Sequence, residues 1–135
     1  GMKAHIGPPD MRHAIAYALH EEKRFNLTLA EVDLSEVGTL NFEKPDLLKY
    51  PALKLGFDVV RQGGLAGAAF NAAKEQALDS FLEYKLSFLG MADVVKATME
   101  ELSSKNKLSS EVELEAVMDI DLQARSIART LIDKF

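Results

Sequence analysis

The stretch DIDLQARSIARTLIDKF, residues 119–135, puts Ile120, Ala124, Ile127, Ala128, Leu131, Ile132 and Phe135 on one stripe. Apolar residues recurring every three and four positions share one side of a helix, which must then be covered by other elements. The segment begins around Glu111, has its clearest register after Asp119, and needs partners upstream.

Those partners have the same period. Val94, Val95, Thr98, Met99 and Leu102 mark a helix from Met91 to Leu102, between a break at Gly90 and the polar loop of residues 103–107. Before it, Leu65 opens a longer helix whose face is extended by Phe70, Ala73, Ala77, Leu78, Phe81 and Leu82. Its start, Ala66, Gly67, Ala68 and Ala69, is small enough to let a neighbour approach closely. Pro51 suits a first helical turn. Leu53, Phe57 and Val60 then describe one face of a helix that stops at the Gly63–Gly64 pair. Four helices joined by short polar or glycine connections predict an up-and-down bundle over residues 51–135.

The first fifty residues read differently. Pro9 and Asp10 form a turn, and Asp10 is placed to accept N–H groups from the first turn of a short helix carrying Met11, Ala14, Ile15, Ala18 and Leu19. Alternation at Leu27, Leu29 and Val32 gives a weak strand signal, and Val37, Leu40 and Phe42 continue an extended arm to the turn at Pro45 and Asp46. The expected fold is mostly α: a four-helix-type bundle preceded by a short helix and an extended, weakly β arm. The expected division is residues 1–50 (turn, short helix and linker arm) and 51–135 (bundle).

Composition narrows the function. With 16 Lys and Arg scattered among 21 Asp and Glu, the net charge is −5, and no basic stripe offers a nucleic-acid footprint. The chain has no Cys, so disulfides and thiolate chemistry drop out. No run of about 18 apolar residues suggests a membrane span, and no signal peptide is evident, so a cytoplasmic protein is expected. Gly1 ahead of Met2 reads as a cloning remnant and is left out of the fold reading.

Candidate chemistry is sparse. Gly63, Gly64 and Gly67 have the wrong spacing for a dinucleotide turn and lie between helices, where they punctuate. His5, His13 and His20 have no third converging ligand, so solvated histidines are the ordinary reading and no metal site is expected. Asp119 and Asp121 invite a carboxylate pair, but two positions apart on a helix they diverge, and capping of a helix start accounts for them better. No catalytic nucleophile is assigned.

The order of motifs carries a resemblance. Ile6 to Arg12, followed by Ile15, Ala18 and Leu19, resembles the 1-deoxy-D-xylulose 5-phosphate reductoisomerase segment in which a Leu-Gly-x-Pro-Asp-Met-Arg turn opens a helix. The run from Gly38 to Phe42, with Pro45, Asp46 and residues 50–55, is similar to the family's linker and first bundle helix. Residues 71–75, then Phe81, Leu82, Lys85, Leu86 and Phe88, resemble the second. Residues 119–121 leading to Ala124 and Arg125 are similar to the opening of the last. Two positions depart from the pattern: Ala14 stands where the family usually has Pro, and Lys74 where it has Asn.

The resemblance implies the C-terminal portion of an enzyme of non-mevalonate isoprenoid synthesis that uses NADPH and a divalent metal, Mg or Mn. The family's cofactor domain, metal carboxylates and lid lie upstream of the matched region. A structural domain, a fragment or truncated relative without catalysis or cofactors of its own, is therefore expected. By resemblance, Pro9, Asp10, Met11 and Arg12 lie beside the substrate and nicotinamide pocket, with Pro9 and Met11 as apolar wall and Asp10 and Arg12 holding the turn. Uncovered helix faces and an unpaired arm predict a homo-oligomer, or docking to a reductoisomerase catalytic domain. The rival reading is a stand-alone helical interaction or regulatory module. A third reading keeps phosphorylated-ligand or nucleotide binding at the Pro9–Arg12 turn.

Overall fold

The computed structural model describes residues 1, 3–4, 6–7, 9–20, 28 and 32–134. Within them lie six helices: α1 (Arg12–Leu19), α2 (Leu34–Val37), α3 (Pro51–Gln62), α4 (Ala66–Leu82), α5 (Phe88–Ser104) and α6 (Leu114–Ile132). There is no strand among the described residues. They form two compact units, Gly1–Lys44 and Pro45–Phe135.

In the first unit α1 follows the Asp10 turn, as its sequence predicts, and buries none of its residues. The weak strand expected around residues 25–32 lies almost wholly outside the described residues. Further along, the arm is not purely extended. Asp33 accepts the Ser35 N–H at 2.7 Å and starts the single helical turn of α2, which ends at Gly38 with φ 68°. Local capping thus overrides the extended pattern read through Val37.

The second unit is the four-helix bundle α3–α6. Residues 45–50 belong with it, because the Asp46 carboxylate accepts the N–H groups of Leu48 and Lys49, both at 2.9 Å, and turns the chain into α3. The core is organised around α4, which packs most extensively on α6, then on α5. Facing inward from α4 are Ala66, Ala69, Ala72, Ala73, Ala77 and Ser80. From α6 come Ile120, Ala124, Ala128 and Ile132, and from α5 Val94, Val95, Thr98, Met99 and Leu102. Small residues on both α4 and α6 let the two helices approach closely, and the larger side chains of α5 fill the space beside them. Thr98 is fully buried with its hydroxyl donating to the Val94 carbonyl at 2.8 Å, so its burial leaves no polar atom unpaired.

Three details differ from the sequence reading. On α3 the residues that pack on the core are Leu55 and Val59, whereas Leu53, Phe57 and Val60 remain exposed. This helix carries two apolar stripes, and periodicity does not choose between them. On α4 the inward face belongs to the small residues, while Leu78 and Leu82 stay exposed. Gly90 is not a break but a buried position in the first turn of α5, where its N–H donates to the Ser87 hydroxyl at 3.0 Å. The chain actually reverses at Tyr84, which takes a left-handed φ of 60° after α4.

Candidate functional site

The Pro9–Arg12 turn is held by its own charges. The Asp10 carboxylate accepts the Arg12 backbone N–H at 2.9 Å, and the Arg12 guanidinium grips both its oxygens, with Nε 2.9 and 3.0 Å away and Nη2 closer still. Hydrogen bonds from the Arg12 side chain and then its backbone N–H lower the Asp10 pKa from 3.8 to about 2. The same pairing raises that of Arg12. Asp10 is thus the N-terminal acceptor that its position before α1 predicts. Pro9 is exposed and Met11 is 71% exposed, so the turn presents apolar side chains beside the Asp10–Arg12 ion pair.

The glycine pair is filled by protein. Gly63 ends α3 with φ 67°, and Gly64, at φ 54°, lies so close to the next loop that an added Cβ would stand 2.1 Å from the Ser109 carbonyl oxygen. Leu65 donates its N–H to that same oxygen at 2.9 Å. This turn holds the α5–α6 loop against the start of α4 and leaves no room there for a phosphate.

Asp119 and Asp121 are neither a carboxylate pair nor helix caps, because α6 has already begun at Leu114. Asp119 accepts from Gln123 at 2.6 Å, and Asp121 pairs with Arg125 at 2.7 Å. Arg125, missed by sequence reasoning as an interhelix residue, also reaches Glu75 on α4 at 2.6 Å. Glu75 in turn accepts from Asn71 at 3.0 Å, and Arg129 donates to Gln76 at 2.7 Å, so polar contacts edge the α4–α6 seam. The hydrogen bond from Arg125, followed by that from Asn71, lowers the Glu75 pKa. His5 lies outside the described residues. Among the described residues no group of three or more His, Asp or Glu is placed to hold a metal ion.

A groove of about 340 Å³ opens between α3, α4 and α5. Its walls include Tyr50, Leu55, Phe70, Leu78, Phe88 and Met91, and its charged lining residues are Lys49 and Lys74. The Lys49 ammonium lies 5.5 Å from the Tyr50 ring centroid. Lys74 is exposed at this groove, which is where the Asn-to-Lys departure from the family pattern falls.

Such a chain is a helical-bundle domain built on a small-residue seam and preceded in sequence by a segment with a charge-paired turn. The family model of the DXP reductoisomerase C-terminal domain matches residues 6–127. The chain is 48% identical over 128 residues to the 1-deoxy-D-xylulose 5-phosphate reductoisomerase of Jannaschia sp. (strain CCS1), covering 94% of this chain and 33% of that protein. It is 44% identical over 132 residues to that of Ruegeria pomeroyi, covering 98% and 33%. Among solved structures, the Zymomonas mobilis enzyme in complex with NADPH is similar over 98% of this chain and 34% of its own, with 34% identity and a TM-score of 0.78. A DOX-P reductoisomerase in complex with NADPH, fosmidomycin and magnesium matches over 95% and 33%, with 32% identity and a TM-score of 0.79. The chain belongs to the DXP reductoisomerase C-terminal domain family, and it spans about a third of the length of the relatives it matches.

Proposed function

We infer that this chain is a packing domain for a reductoisomerase catalytic portion and does not itself turn over substrate. The whole reaction, an NADPH-dependent rearrangement and reduction of 1-deoxy-D-xylulose 5-phosphate on the non-mevalonate route to isoprenoids, needs NADPH and Mg or Mn held by residues outside this chain. The observation that carries this reading is that almost the whole chain superposes on one third of a reductoisomerase in complex with NADPH. The structural pairings agree with it. Asp10, Arg12, Asp119 and Asp121 all have partners within this chain that account for their placement.

In this reading Pro9 and Met11 supply an apolar wall beside the substrate and nicotinamide, and the Asp10–Arg12 pair fixes the wall's backbone. The exposure of Met11 supports that role, because a side chain already buried in its own unit has no surface to offer a ligand. Function in the cytoplasm and a homo-oligomeric state belong to the same proposal. Among the described residues no helix is long and apolar enough to cross a membrane.

The test is NADPH oxidation with 1-deoxy-D-xylulose 5-phosphate and Mn²⁺, first by this chain alone and then after mixing with the separately produced remainder of a relative. Silence alone and activity on mixing is the expected result. Turnover by the chain alone overturns the reading. Silence in both arms favours a stand-alone interaction module.

A further inference from the structure

We draw no further inference here: the strongest candidate, the apolar groove between α3, α4 and α5 with Lys49 and Lys74 in its lining, is an unpartnered face of a chain that spans about a third of its relatives, and nothing in the structure shows what covers it.

Discussion

Gly64 sits where a side chain has no room, with the Ser109 carbonyl oxygen 2.1 Å from the place of a Cβ and a left-handed φ of 54°. Gly64→Ala is expected to lower stability by about 2 kcal/mol or more, read as a fall in the chemical-denaturation midpoint, because both the strain and the displaced loop oppose it. At Asp10 the outcome concerns pH. Its folded pKa of about 2 lies below the ordinary 3.8, so the stabilisation of the turn is present above the ordinary value and is lost as pH falls through about 2. Carboxyl NMR should show Asp10 titrating near 2, and Arg12→Gln should return the midpoint toward the ordinary value. A wild-type midpoint near 3.8 contradicts the locked turn. The sequence announces Asp10, since Pro, Asp and a helical period stand together. It announces Gly64 only as punctuation, because the loop that presses on it comes from 45 residues further along the chain.

Among the elements, the α4–α6 seam depends on smallness. Ala73, Ala77, Ala124 and Ala128 are all fully buried. Ala73→Leu is expected to destabilise by about 1–3 kcal/mol, since a close-packed seam has no space for three more carbons. Leu102→Ala, at one of the largest fully buried side chains, should cost about 2–5 kcal/mol through the cavity it leaves. Both are read from denaturant unfolding, and an effect within the scatter of surface substitutions would mean that these residues are not packed as described. Helices α5 and α6 are legible in their periodicity because one apolar face dominates each. Helix α3 is not, since Leu53, Phe57 and Val60 compete with Leu55 and Val59 for the inward side and only the assembled bundle decides. The same holds for Gly90, whose place inside α5 depends on the Ser87 cap rather than on its own preference for turns.

At the scale of the whole molecule, the bundle and its family are readable from the order of motifs, while its surfaces are not. The groove exists because the inward face of α4 is made of alanines, which leaves Phe70 and Leu78 to line an opening beside α3 and α5. No local pattern reveals that juxtaposition. The Arg125–Glu75 bridge is hidden in the same way, because its partners lie 50 residues apart and no local pattern pairs one with the other. In the function proposed above, this chain supplies structure to an enzyme whose chemistry is carried by residues outside it. The most direct measurement joins this chain, in place of the corresponding C-terminal third, to the rest of the Jannaschia relative and assays NADPH oxidation with 1-deoxy-D-xylulose 5-phosphate. Activity in the chimera, with none in either part alone, is the predicted result. A chimera that folds yet stays inactive, or turnover by this chain alone, overturns that role.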